Sequence, residues 1–279
     1  MSIRLIARKL FLFKFIFNRW RGMGISYHKT LLFNLSAFKF PTALKFPIWI
    51  YQGTKVEHVG KIIIKAPISN GMIRIGKRQF FRQTPTNIIN IGTMEFNGNC
   101  TILGGTTIHV LGEKSKITLG KQVMIGENAK ILVGPTINIG DYSRIAFGCL
   151  IMSADFHYVI NTKTGIVLRS LAPIEIGKYN WIGNSSIIKK GTKTPDYCIV
   201  SNGSMLTKDY SDQPPYSLII GTPGKVKGCG YRRVYNDKSN DELNAFFDGT
   251  QNTQKVIPLK PEDPDYNWFC NGEINVHLH

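Results

Sequence analysis

Residues 176–206 read IGKYNW IGNSSI IKKGTK TPDYCI VSNGSM L, and this stretch decides the fold. Ile176, Ile182, Ile188, Thr194, Val200 and Leu206 fall on every sixth position. A small or polar residue follows four places later each time: Asn180, Ser186, Thr192, Cys198 and Ser204. A helix repeats near 3.6 residues and an ordinary strand near 2, so neither produces a period of six. A six-residue period belongs to a β-helix, in which each short strand is one side of a coil and stacked coils bury the aliphatic row.

The period extends upstream. Leu119, Ile125 and Ile131 lie six apart; the phase slips by two, and Val133, Ile139, Ile145 and Ile151 resume it. Weaker echoes are Ile73-Arg74-Ile75-Gly76, Ile91-Gly92 and Ile102-Leu103-Gly104. Gly after the aliphatic suits a corner, because Gly adopts positive φ at little cost. The solenoid is expected over about residues 60–225, interrupted once, with ends that need caps.

The interruption is residues 153–173, an excursion from a regular coil, and such insertions tend to carry function. Residues 1–59 read as an N-terminal arm or cap, residues 60–228 as the coil domain, and residues 229–279 as a polar extension with one short helix near Asp241–Phe247.

Charge is uneven along the chain. There are 35 Lys and Arg against 18 Asp and Glu, a formal net charge of +17. Residues 1–55 hold ten basic residues and no acidic one, with the aromatics Phe11, Phe13, Phe15, Phe17 and Trp20 among them. Such a segment suits the surface of an anionic membrane. It equally suits a packed cap or a surface that neutralises an anionic substrate. Charge interrupts it too often for it to span a bilayer, and Lys14 breaks any signal-peptide core. The expected location is therefore cytoplasmic, with peripheral contact at the inner membrane face through residues 1–55. No nucleic-acid motif accompanies the charge.

Cys100, Cys149, Cys198, Cys229 and Cys270 are scattered, with no CxxC pair, which reads as reduced thiols rather than a disulfide framework or a zinc site. Cys149 and Cys198 occupy the small-residue slot of their hexads and are expected in the core.

Four segments carry a resemblance in fixed order. Asp155-Phe156-His157 comes first, followed by Ile176-Gly-Lys-Tyr-Asn-Trp181-Ile-Gly-Asn184. Val200-Ser-Asn202-Gly-Ser-Met-Leu-Thr207-Lys208-Asp209 comes next, and Ile220-Gly-Thr-Pro-Gly-Lys225-Val226 closes the set. Over about 70 residues the chain resembles the hexapeptide-repeat O-acetyltransferases, a group that includes galactoside, maltose and polysaccharide-biosynthesis acetyltransferases. It departs from their pattern at Ser201-Asn202, where Gly-Ala is common, and at Thr222 and Gly224, where Asn and Ala are common.

That resemblance implies a left-handed parallel β-helix, acetyl-CoA as donor, a sugar or polysaccharide precursor as acceptor, no metal, and a homotrimer with the site between neighbouring coils. Acyl transfer needs a base for the attacking hydroxyl, donors for the oxyanion and a fixed approach of the two reactants. His157 matches the family's catalytic histidine, and an imidazole, with an unperturbed pKa of about 6.5, suits a base. Asp155 lies two residues earlier and so shares a side in an extended segment; it can orient the imidazole, hold the acceptor, or merely shape a turn. Trp181 and Asn184 match the pocket around the thioester arm, Asn202 takes the next position, and Thr207 and Lys208 match residues that contact coenzyme A. Lys225 matches a basic residue near the nucleotide phosphates, with Lys227 beside it. Arg169 on the excursion can pair with an acidic sugar or phosphate, or serve as an ordinary loop arginine.

Transfer to an amino-sugar nitrogen is a close alternative, and a non-catalytic scaffold is a third reading. A zinc hydratase of the γ-carbonic anhydrase type needs three clustered histidines, whereas the coil offers only His109 and His157.

Overall fold

The computed structural model describes residues 22–79 and 85–271. Phe11–Trp20, the first six basic residues of the arm, His277 and His279 lie outside the described residues. By internal contacts the chain divides into a coil unit ending at Gly230 and a second unit starting at Tyr231.

The coil is a parallel β-helix with three faces. Chain order runs face 1, face 2, face 3, and repeats. Face 1 stacks β1 (Ile48–Ile50), β4 (Ile73–Lys77), β7 (Cys100–Leu103), β10 (Val123–Ile125), β13 (Arg144–Ile145), β16 (Trp181–Ile182), β18 (Ile199–Val200) and β20 (Leu218–Ile220). Face 2 stacks β2 (Thr54–His58), β5 (Thr86–Asn90), β8 (Thr107–Val110), β11 (Lys130–Val133), β14 (Leu150–Met152), β17 (Ile187–Lys189) and β19 (Met205–Leu206). Face 3 stacks β3 (Lys61–Ile64), β6 (Thr93–Phe96), β9 (Lys116–Leu119), β12 (Thr136–Ile139) and β15 (Ile174–Ile176). Bridges from Glu175 to Lys193 and from Lys193 to Asp209 carry face 3 into the last coils.

The hexads map onto this geometry. Ile176, Ile182 and Ile188 lie on faces 3, 1 and 2 in turn, and Thr194, Val200 and Leu206 repeat the circuit. All six are buried, and so are Asn180, Ser186, Thr192, Cys198 and Ser204. The inward side chains form one continuous cluster from Phe33 to Ile219, each buried aliphatic contributing about 1.5–3 kcal/mol relative to exposure. The phase slip at Ile131–Val133 has a simple cause. β11 is four residues long, so both residues point inward before the corner at Gly134. Ile91 does not fit the expected pattern: it is exposed, because Ile88 and Asn90 take the inward positions of β5.

Buried polar atoms at the corners are bonded across coils. Asn180 Nδ2 donates to the carbonyl of Pro195 at 2.8 Å, and Thr194 Oγ1 donates to Asn180 Oδ1 at 2.8 Å. The corner between faces 3 and 1 carries a column of tyrosines. Tyr142, Tyr179, Tyr197 and Tyr216 stack with centroid spacings of 4.8, 4.7 and 4.9 Å. At Gly140 an added Cβ would come 2.6 Å from the carbonyl carbon of Gly177, so adjacent coils need a bare backbone there.

The coil begins at Ile48, earlier than the expected boundary at residue 60, because β1 and β2 already pair with β4 and β5. The described part of the N-terminal segment, residues 22–47, caps the coil. Helix α1 (Tyr27–Ala37) places Thr30, Phe33 and Asn34 on its buried side. Asn34 Oδ1 accepts from the amide of Ile48 at 3.2 Å, and Thr30 Oγ1 accepts from that of Ile50 at 3.0 Å. These side chains satisfy the edge of β1, which would otherwise invite pairing with another chain. At the other end β21 (Lys225–Gly228) turns back antiparallel on β20. Among the described residues no helix is long and apolar enough to cross a membrane.

The second unit holds α2 (Asp237–Phe247) and α3 (Asn267–Cys270). Helix α2 starts four residues before the expected Asp241, because Asn236 caps it by accepting from the amide of Lys238 at 3.1 Å. Arg232 ties the unit together: it donates to the carbonyl of Asp265, to Asn267 Oδ1 at 3.0 Å and to Asn271 Oδ1 at 2.7 Å. The described part of the polar extension, residues 231–271, therefore forms a unit with helices and hydrogen bonds of its own.

The five cysteines are free thiols. Burial pushes Cys149 up to about 11 and Cys198 up to about 12, which leaves both protonated and unreactive in the core.

Candidate active site

The excursion leaves face 2 after β14 and returns at β15 as a two-stranded arm. Ala154 bridges Leu171 at its base and Ile160 bridges Val167 farther out, both antiparallel. The amide of Asp155 donates to the carbonyl of Ser170 at 2.7 Å. At the tip the amide of Asn161 donates to the carbonyl of Ile166 at 2.9 Å, while Asn161 Oδ1 accepts from the amide of Lys163 at 3.0 Å. The arm is stiffened by backbone bonds but not by a core. Phe156, Tyr158, Val159 and Leu168 are all exposed, at 60%, 72%, 76% and 71%.

His157 is on this arm and is exposed. Among the described residues nothing hydrogen-bonds to it. Asp155 does not turn toward it. Its carboxylate pairs with Lys189 through Oδ1 and with Lys190 through Oδ2, each at 3.0 Å. The expected orientation of the imidazole by Asp155 is thus absent from this chain. The alternation that would align the two side chains is broken by a bend at Phe156–His157. Hydrogen bonding from Lys189, then from Lys190, together with their charges, holds the Asp155 carboxyl below the usual carboxylate range.

A depressed carboxylate stabilises the fold above its unfolded pKa of about 3.9 and loses that contribution as pH falls through the folded value. The base of the arm should therefore loosen in acid. Hydrogen exchange of the Asp155 amide, corrected for intrinsic rate, should quicken below about pH 4. In Asp155→Asn it should be quick already at neutral pH. An acid response that persists unchanged in that variant would rule the anchor out.

The remaining residues fall on two edges of the coil. Thr207 and Lys208 follow β19 at the corner between faces 2 and 3, the corner from which the arm springs, with Lys190 between them on the intervening coil. Lys208 Nζ lies 5.3 Å from the Tyr210 ring, and the Tyr210 hydroxyl donates to the carbonyl of Gly224 at 2.9 Å. The fold thus brings Lys208 next to the segment that carries Lys225, which is exposed.

Trp181, Asn184 and Asn202 lie elsewhere. Trp181 projects from face 1 beside Arg144 and Ile199, 37% exposed. Asn184 and Asn202 stack at the corner between faces 1 and 2, where the amide of Asn184 donates to Asn202 Oδ1 at 2.9 Å. Asn202 Oδ1 also fills the space beside Gly183, where an added Cβ would come within 2.5 Å of it. Its larger side chain therefore serves the corner. Within one chain, Asn184 and Asn202 thus sit at the margin of face 2 opposite Thr207 and Lys208, and Trp181 sits on face 1. Arg169 is exposed on the arm with no ion pair among the described residues.

Sequence reasoning missed Lys189 and Lys190. The available signal was their place directly after the aliphatic Ile188, where the chain leaves the face and side chains turn to the corner. Among the described residues no three His, Cys, Asp or Glu side chains gather as a metal site.

No family model matches the chain. Over 72 residues it is 35% identical to a Staphylococcus aureus (strain COL) protein named "Putative acetyltransferase", covering 26% of this chain and 33% of that one. A namesake from strain MRSA252 is 33% identical over 72 residues, with the same coverage. The chain spans about a third of the length of the curated relatives it matches. Among solved structures, the polySia-specific acetyltransferase NeuO superposes with a TM-score of 0.49 at 20% identity, over 71% of this chain and 88% of that one. A mutant of AntD, an N-acyltransferase from Bacillus cereus, gives a TM-score of 0.42 at 17% identity, over 73% and 89%. The sequence comparison thus finds proteins that carry the name of putative acetyltransferases.

Proposed function

We propose that this protein is an acetyl-CoA-dependent O-acetyltransferase that modifies a sugar hydroxyl of a surface polysaccharide or its precursor. His157 is the general base: its imidazole takes the proton of the acceptor hydroxyl as that oxygen attacks the thioester carbonyl. The observation that carries this reading is the common edge. An exposed histidine on an ordered arm, and Thr207-Lys208 two coils on, leave the solenoid at the same corner. Lys208 and Lys225 supply positive charge for the phosphates of coenzyme A, and Arg169 on the arm faces the acceptor.

In this proposal the enzyme is a homotrimer. Asn184 and Asn202 sit across face 2 from the arm and Trp181 on face 1 beyond them, so His157 of one copy meets the Trp181–Asn202 surface of the next, while Lys208 and Lys225 flank its own arm. Calorimetric titration with acetyl-CoA tests the donor site. Wild type should bind in the micromolar range, and Lys208→Ala/Lys225→Ala should bind about ten- to a hundredfold more weakly. Absence of binding by correctly folded wild type, or equal binding by the pair, would overturn the reading.

A further inference from the structure

We propose that the first two coils hold a binding site for a phosphoryl group, in the cavity lined by Gly24, Tyr51, Gln52, Gly76, Lys77 and Arg78. This site goes beyond the acyl-transfer reading and does not depend on it: β4, which carries Lys77, lies four strands before β16 along face 1.

Three observations converge. The first is space. The cavity measures about 150 Å³, several times the roughly 30 Å³ that a water occupies in the liquid, so a tetrahedral phosphoryl group fits.

The second is charge. Lys77 and Arg78 line the cavity, and no described lining residue is acidic. Lys29 stands close by, its ammonium donating to the carbonyl of Thr54 at 2.6 Å. The neighbouring carboxylate is that of Glu127, which is buried and accepts from the amide of Gln79 at 2.7 Å. Burial, and then the charge of Arg74, hold the Lys77 ammonium below the usual lysine range. A bound anion would offset both effects.

The third is backbone shape. Gly53 has a φ of +81°, and a Cβ there would come within 3.2 Å of Arg78 Nη2. The bare backbone lets the guanidinium lie across the turn at the cavity. Arginine and lysine then act as a planar fork and a point charge, the pair suited to a phosphoryl oxygen cluster.

The test titrates the full-length protein with inorganic phosphate and, separately, with glucose 1-phosphate, at low ionic strength in a phosphate-free buffer. Lys77→Met/Arg78→Ala is compared with Lys114→Ala/Lys130→Met, which removes the same charge from exposed positions elsewhere on the coil. Both ligands should bind wild type. The first pair should weaken binding at least about tenfold, and the control should stay within about twofold. Tighter binding of the sugar phosphate would mean that the cavity also holds the sugar; equal binding would mean that it holds the phosphoryl group alone. Arg78→Gln, at an exposed side chain, repeats the test should the double variant lose its native circular dichroism. The proposal fails if folded wild type binds neither ligand, if Lys77 and Arg78 can be removed without effect, or if the control pair weakens binding as much.

Discussion

Replacing His157 with Ala should lower acetyl transfer by about a hundred- to ten-thousandfold, the usual contribution of a positioned general base, while acetyl-CoA still binds with wild-type affinity. The side chain is exposed and makes no hydrogen bond or ion pair among the described residues, so its removal costs the fold little. That separates lost chemistry from lost structure. The pH profile gives a second readout, since the acidic limb of kcat/KM reports the base of the free enzyme and should disappear from the residual activity. The shared site gives a third. His157→Ala and Trp181→Ala/Asn184→Ala chains, denatured and refolded together, should recover part of the activity that each lacks alone, because mixed trimers pair an intact arm with an intact Trp181–Asn184 surface. Near-normal turnover by His157→Ala would sink the mechanism, and mixed chains that stay inactive would sink the shared site.

Ile182→Ala should cost about 2–5 kcal/mol of stability, the range for removing a large aliphatic from a packed interior. Ile182 is fully buried and continues the inward row of face 1 between Ile145 and Val200. Each coil touches only its neighbours, so a gap there is filled from no other direction. Trp181, its neighbour on the same strand, points outward and is 37% exposed. Trp181→Ala should therefore cost much less, although it deletes the larger side chain. Urea midpoints for the two variants decide the point. A smaller loss for Ile182→Ala than for Trp181→Ala would contradict the inward and outward assignment.

The hexads were legible because they are local. Six residues span one face and one corner, so Ile176, Ile182 and Ile188 declare their burial whatever surrounds them, and Cys149 and Cys198 follow from the small-residue slots. Ile91 failed that test because a single aliphatic before Gly carries no register of its own; the longer strand β5 set the register through Ile88. The start of the coil at Ile48 was hidden for a related reason. β1 and β2 hold no clean hexad, and their place is fixed by pairing with β4 and β5, more than twenty residues later. Helix α1 is recognisable as a cap only once Thr30 and Asn34 are seen closing the edge of β1.

The candidate site divides in the same way. The ordered motifs pointed to His157, Lys208 and Lys225 and to an excursion at 153–173. Alternation left Asp155 three roles, to orient His157, to hold the acceptor or to shape a turn, and the structure pairs its carboxylate with Lys189 and Lys190. Alternation holds only while a segment stays extended, and the bend at Phe156–His157 ends it. The sequence by itself determined the period, the buried rows and the existence of the arm, since these depend on spacing within one or two turns. Only the tertiary structure decided which residues share an edge. Stacking coils places Asp155 beside lysines 34 and 35 positions away, and sets His157 and Asn184 on opposite margins of one face. Such neighbours are made by the pitch of the coil and by the length of the insertion, which no local pattern encodes.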